Sequence, residues 1–155
     1  MRAMPRLEAL MTVRGDLKDP IQVGAGPGGT RQIFDVAGGS FEGPRLRGRV
    51  LPGGGDWLLV GADGVGRLDV RITLETDDGA YLYVQYPGVL VFNENVAKAL
   101  ASGGGTEFGD AYFMTTPRVE TGDSRYAWLN AIVAVGQGRM LPSAVEYRVF
   151  EVQND

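Results

Sequence analysis

Histidine and cysteine are both missing from the 155 residues. Without histidine there is no imidazole general base, no Ser/His/Asp or Cys/His arrangement, and none of the usual zinc chemistry. Without cysteine there are no disulfides and no thiolate nucleophile, a composition that a reducing compartment tolerates. Lysine occurs only as Lys18 and Lys98, both in loop-like or helix-like surroundings where a desolvated Schiff-base amine is hard to build. Any catalysis therefore falls to carboxylates, tyrosine, arginine or amides, and neither a metal nor a cofactor is expected. No apolar run reaches the roughly 18 residues of a membrane span. The first ten residues carry Arg2, Arg6 and Glu8 where a signal peptide has an apolar core. The expected location is cytoplasmic, away from the membrane. A net charge of −4 provides no basic field for nucleic acid.

Glycine is what the chain has in excess, with 24 residues. Many fall in clusters, Gly24 to Gly29, Gly53 to Gly55 and Gly103 to Gly105, between segments of apolar–polar alternation. That is turn punctuation for short strands. Strands are predicted at Arg6 to Val13, Thr30 to Val36, Arg45 to Leu51, Asp56 to Val60, Arg67 to Thr76, Ala80 to Val91, Ala111 to Arg118, Tyr126 to Gly136 and Ala144 to Val152. Asp77-Asp78-Gly79 joins two of the longer ones, and its Asp-Gly pair is a hairpin signal. One short helix is predicted over Asn93 to Ala101, capped by Asn93 or Asn95 and followed by Gly103. A 155-residue chain is long enough for an independent core, so residues 1–155 are expected to form one domain. With about eight or nine strands and no helical layer, the sheet must fold onto itself as a closed antiparallel barrel or as two packed sheets. The fold class is all-β.

Gly24-Ala25-Gly26-Pro27-Gly28-Gly29 formally matches the dinucleotide fingerprint, but that motif opens a helix and a strand follows here, so a glycine-rich turn is expected. Arg45, Arg47 and Arg49 share one strand face and are read as a solvated edge, with an anion contact as the alternative. In the segment Arg67 to Thr76, Leu68, Val70, Ile72 and Leu74 make one face strictly apolar, while Asp69 and Arg71 lie on the other. The polar face is outside in an ordinary sandwich and inside in a barrel covered by an outer layer or a partner. Tyr126, Trp128 and Asn130 likewise share a face. They either supply aromatic walls and polar tips to a ligand pocket, or Trp128 plugs the core while Tyr126 ties down a strand end. Glu120 sits at a strand end near a turn and is by default a solvated loop acid; Asp56 brackets the turn before Trp57.

The succession Gly38-Gly39-Ser40-Phe41-Glu42-Gly43-Pro44-Arg45-Leu46-Arg47-Gly48, then Leu51-Pro52-Gly53-Gly54-Gly55-Asp56-Trp57, resembles domain-of-unknown-function family three-two-three-seven. So do Leu68-Asp69-Val70-Arg71, Leu74-Glu75-Thr76-Asp77-Asp78-Gly79, and Thr115-Thr116-Pro117-Arg118-Val119-Glu120-Thr121-Gly122 leading to Tyr126-Ala127-Trp128-Leu129-Asn130. The resemblance implies a barrel of the group that includes allene oxide cyclase and dirigent proteins, with an interior able to hold a small hydrophobic molecule. It marks Arg31, Asp56, Trp57, Asp69, Arg71, Glu120, Tyr126, Trp128 and Asn130 as the characteristic polar and aromatic residues. Val119 departs from the pattern, where an aromatic residue is expected.

By analogy of fold, the resemblance implies a cofactor-independent cyclase, isomerase or lyase acting on a small hydrophobic oxygenated molecule in the lumen. Asp69 or Glu120 is the expected acid or base, Arg71 and Asn130 the stabilisers of developing negative charge, and Trp57, Tyr126 and Trp128 the cavity walls, with Arg31 and Asp56 also binding ligand. The alternatives are a noncatalytic carrier using the same lumen and a structural module that buries its aliphatic strand faces against another subunit. Apolar outer faces would be awkward on a lone barrel, so a homo-oligomer is expected.

Overall fold

The hairpin at Asp77–Gly79 organises the longest strand pair, and the remaining strands complete the circle from its two sides. The structure, a computed structural model, describes residues 4–154. Residues 1–3, with Arg2 of the N-terminal segment, and residue 155 lie outside the described part of the expected 1–155 domain. In chain order the elements are β1 (Arg6–Leu17), β2 (Ile21–Gly26), β3 (Gly29–Glu42), β4 (Arg47–Val50), β5 (Gly54–Val60), β6 (Val65–Thr76), β7 (Tyr81–Val91), α1 (Glu94–Ser102), β8 (Phe113–Thr115), β9 (Arg118–Glu120), a 3-10 helix (Ser124–Ala131), β10 (Val133–Leu141) and β11 (Ala144–Gln153).

Antiparallel pairing runs β1–β3–β5–β6–β7–β8–β10–β11 and returns to β1, which closes an eight-stranded barrel. Closure removes the sheet edges that would otherwise invite pairing with other chains. Three strands are additions to the circle. β4 fills the space between β3 and β6 that β5 leaves empty, β9 continues along β7 beyond β8, and β2 pairs with β3 alone.

With one interior and no outer layer, the strictly apolar face of β6 has only one place to go. Leu68, Val70, Ile72 and Leu74 point inward and are buried, while Asp69 and Arg71 are exposed outside. This corrects the expectation that the polar face lines the lumen. Leu74 and its β7 partner Leu82 are completely buried in the half of the barrel nearest the hairpin turn. Thr76 at the end of β6 donates from its hydroxyl to Asp78 at 2.5 Å and accepts from Ala80 N–H, so the turn chemistry continues the ladder.

The helix forms where expected. Asn93 accepts from Val96 N–H at 3.1 Å, and Gly103 takes the left-handed conformation (φ 68°) that ends it. The glycine-rich segment is a turn between β2 and β3, as its following strand requires.

The segment Tyr126 to Ala131 is the main departure. It is a 3-10 helix, not a strand, because Asp123 caps it through Arg125 N–H at 2.9 Å and because its buried residues, Tyr126 and Leu129, are three apart. The alternation of this segment fits a strand equally well on paper; the cap and the spacing of three are the signals that separate the two. The 3-10 helix stoppers the hairpin-turn end of the barrel. Tyr126 Oη donates to the Asp78 carboxylate at 2.8–2.9 Å, and the Arg45 guanidinium lies over the Trp128 ring at 3.5 Å. Trp128 thus stacks under an arginine, and Arg47 and Arg49 pair with Asp77 and Glu75 on the outside. Arg45→Ala is expected to cost about 1 kcal/mol by losing the exposed cation–π contact, read as a lower denaturation midpoint with an unchanged slope.

Candidate functional site

The other half of the barrel is open. A cavity of about 690 Å³ extends from the middle of the lumen to a mouth framed by α1, the Pro142–Ser143 turn and the Leu17–Pro20 loop. Its walls are the inward residues of the strands, chiefly aliphatic or aromatic, with Thr30, Gln32, Asp56, Tyr86 and Tyr147 as polar groups on the strands and Lys18 and Asp19 on the rim loop. A cavity of this size takes a drug-sized molecule.

Asp56 is the carboxylate of the strand walls. On β5 it shares the inward face with Leu58 and Val60, and it stands in one row with Val70 of β6 and Tyr86 of β7. The β5–β6 ladder is interrupted here: Asp56 pairs with Val70 and Leu59 with Arg67, and no pair lies between. Side chains take over from the missing ladder bonds. Asp56 Oδ1 accepts from Asp69 N–H at 3.1 Å, and Arg31 Nη1 donates to the Trp57 carbonyl at 2.7 Å. Burial pushes the Asp56 carboxyl up to about 7, and the nearby Asp69 charge adds to this; the hydrogen bond from Asp69 N–H and the Arg31 charge oppose it. A carboxyl near 7 accepts and returns protons with comparable ease at neutral pH.

Tyr86 and Tyr147 meet across the lumen. Their ring centroids are 5.3 Å apart and the rings are nearly perpendicular, and Phe113 packs edge-on against Tyr147 at 5.5 Å. Burial pushes both phenols up. Gly138 on β10 makes room for this stack, since a Cβ there would come within 2.9 Å of the Phe113 ring.

Four of the residues singled out in the sequence, Arg31, Asp56, Trp57 and Asp69, meet at the ladder interruption. Only Asp56 turns its side chain into the cavity; Arg31, Trp57 and Asp69 lie on the outer face, and Asp69 contributes its backbone N–H. Arg71 and Glu120 are exposed outside the barrel, Glu120 opposite Tyr83. Tyr126, Trp128 and Asn130 are at the stoppered end, where Asn130 bridges Thr121 through its N–H and carbonyl. The structure does not bring these last five to the cavity. Tyr86 and Tyr147 escaped attention. The available signal was a tyrosine on an aliphatic strand face, beside Leu82, Val84 and Leu90 in one case and Val145 and Val149 in the other.

Among the described residues no group of three or more Asp or Glu is placed to hold a metal ion, and no helix is long and apolar enough to cross a membrane. Residues 5–152 match the family described as Protein of unknown function (DUF3237). The chain belongs to this family. Among DUF3237 relatives, the UPF0311 protein RPA1785 of Rhodopseudomonas palustris is 31% identical over 96% of this chain and 98% of its own. A β-barrel-like protein from Acinetobacter baumannii superposes with a TM-score of 0.83 at 35% identity, covering 97% of this chain and 98% of that one. PR-toxin biosynthesis cluster protein 7 of Penicillium roqueforti is 26% identical over 89% of this chain and 84% of its own. An enzyme from Penicillium herquei shares the fold at 21% identity and a TM-score of 0.72, over 99% and 98% of the two chains.

Proposed function

We propose that this DUF3237 barrel is a cofactor-independent cyclase, isomerase or lyase that moves protons on a small hydrophobic oxygenated molecule held in its lumen. The observation that carries the reading is Asp56, a carboxyl inside a largely apolar 690 Å³ cavity and pushed up to about 7 by burial. Perturbed carboxyls of this kind cluster at catalytic sites, because a proton-transfer group works best with its pKa near the working pH. The acid–base role thus moves from Asp69 and Glu120, whose side chains are outside, to Asp56. The name of the Penicillium roqueforti relative, which places that protein in a PR-toxin biosynthesis cluster, supports a biosynthetic reaction for the lumen.

The test is to load wild type and Asp56→Asn with a metabolite extract, wash, and analyse what is retained by mass and chromatography before and after incubation. The expected result is a retained compound that wild type converts to an isomer or a dehydrated product while Asp56→Asn holds it unchanged. Conversion at equal rates by both proteins overturns the assignment of Asp56. Retention without conversion by wild type makes the barrel a carrier. Narrowing the cavity should abolish retention in either case: Val60→Trp is expected to lower capture of any ligand at least tenfold, because the added ring occupies space the ligand needs.

A further inference from the structure

A carboxylate that moves protons needs a partner for the charge that develops elsewhere on the substrate, and the lumen holds one candidate. Tyr86 and Tyr147 line the same cavity as Asp56, and Tyr86 stands in its row one strand removed, across Val70. Neither phenol is hydrogen-bonded to the carboxylate, yet both lie close enough for its charge to be felt. Base and phenols thus face one cavity of about 690 Å³. Each phenol has one hydroxyl proton to donate, and both side chains line the cavity. Both rings are fixed, Tyr147 by Phe113 in the room that Gly138 provides, so the donors are held in place before a ligand arrives, as stabilisation of a developing oxyanion requires.

We infer that the Tyr86–Tyr147 pair is the receptor for a carbonyl oxygen and that the substrates of the lumen are neutral enolisable ketones or enones. This rests on the proton-transfer reading of Asp56 and deepens it. A carboxylic acid ligand would place a second negative charge beside Asp56 in a low-dielectric cavity, which opposes its binding. A ketone brings none. The Asp56 carboxylate takes a proton from the carbon next to the carbonyl; the C–H pair becomes the enolate C=C bond, and the C=O π pair moves to the oxygen that the phenols hold. Charge leaves Asp56 as it arrives at that oxygen. The proton then returns from Asp56 to the same carbon or to the far end of a conjugated dienolate, and the carbonyl re-forms. No electrons are gained or lost.

The experiment uses 2-naphthol, a flat neutral phenol whose anion imitates an enolate and whose fluorescence reports ionisation, together with deuterium exchange into 2-tetralone in D2O. The expected results are that Asp56→Asn binds naphtholate more tightly than wild type, and that Tyr86→Phe and Tyr147→Phe bind it about tenfold to a hundredfold more weakly, the loss typical of one hydrogen bond to a charged oxygen. Melting curves of the two phenylalanine variants establish that they are folded. Unchanged naphthol affinity in both, or no binding by wild type, overturns the carbonyl receptor. If wild type exchanges 2-tetralone through Asp56 while the tyrosine variants match it in exchange and in naphthol binding, Asp56 keeps its role and the receptor falls. If the tyrosine variants lose naphthol binding but no protein exchanges tetralone, the receptor stands and the proton-transfer reading falls.

Discussion

Asp56→Asn is expected to make the protein more stable at pH 8, by about 2 kcal/mol, or about 5 °C in melting temperature. The folded carboxyl is raised from its ordinary 3.8 to about 7. Below about pH 4 the group is protonated in the folded and the unfolded chain alike, and its titration costs no stability. Between about pH 4 and 7 the unfolded chain gives up the proton and the folded chain keeps it, so the folded state binds more protons and stability falls as pH rises. Above about 7 the full cost is present, at most about 4 kcal/mol for a shift of this size. Asparagine removes it and keeps an amide oxygen to accept from Asp69 N–H, but it buries an amide N–H2 that needs partners, which takes back roughly half. The stability difference between variant and wild type should therefore be near zero or negative at pH 4.5, grow through neutrality and level off by pH 8. A difference that does not change with pH would mean that the carboxyl titrates near its ordinary value. Comparison with wild type matters because Asp78 and Asp123, held low by hydrogen bonds, first from Thr76 and from Arg125 respectively, act in the opposite sense and lose their contribution as pH falls.

Gly39→Ala should cost at least about 4 kcal/mol, enough to unfold a marginal domain. β3 pairs with β5 through its first half and with β1 and β4 through its second, and it bends between the two sets at Gly38 and Gly39, with φ at 147° and 145°. L-residues rarely adopt that backbone. A Cβ at Gly39 would also run into the Arg14 carbonyl oxygen of β1, which is backbone and cannot step aside. Gly53→Ala provides the contrast. Its φ is 103°, but no atom lies within 4 Å of the added Cβ, so only conformational strain remains and a loss of about 1 kcal/mol is expected. Urea titrations of both variants, read at equal slope, separate the clash from the strain. Equal losses would show that the close approach of β3 to β1 contributes nothing.

The parts of the fold that were legible in the sequence are those decided within a few residues. Asp77-Asp78-Gly79 predicts the β6–β7 hairpin, and Asn93 with Gly103 predicts the two ends of α1, because a turn or a cap is a local hydrogen-bonding and dihedral problem. β2, Ile21–Gly26, was not legible, since a short strand paired on one side leaves little alternation to read. The strand expected through Tyr126 failed because its alternation also satisfies a period of three; the Asp123 cap sets the 3-10 helix, and Asp78, 48 residues away, then holds the Tyr126 hydroxyl.

The candidate site divides along the same line. Sequence alone determined an all-β chain without imidazole or thiol chemistry, a β6 with one wholly apolar face, and a family set that includes Asp56. Only the tertiary structure decided which face was the inside. Strand alternation separates two faces but cannot say which one is enclosed; closure of the circle does, and it turned Asp69 and Arg71 outward and left Asp56 within. Nor could sequence pair Tyr86 with Tyr147, which lie 61 positions apart on β7 and β11, with β8 and β10 between them around the wall, and which touch only across the lumen. The pKa of Asp56 follows from the same enclosure. It is raised by burial, a property of the closed barrel and of no local run of residues.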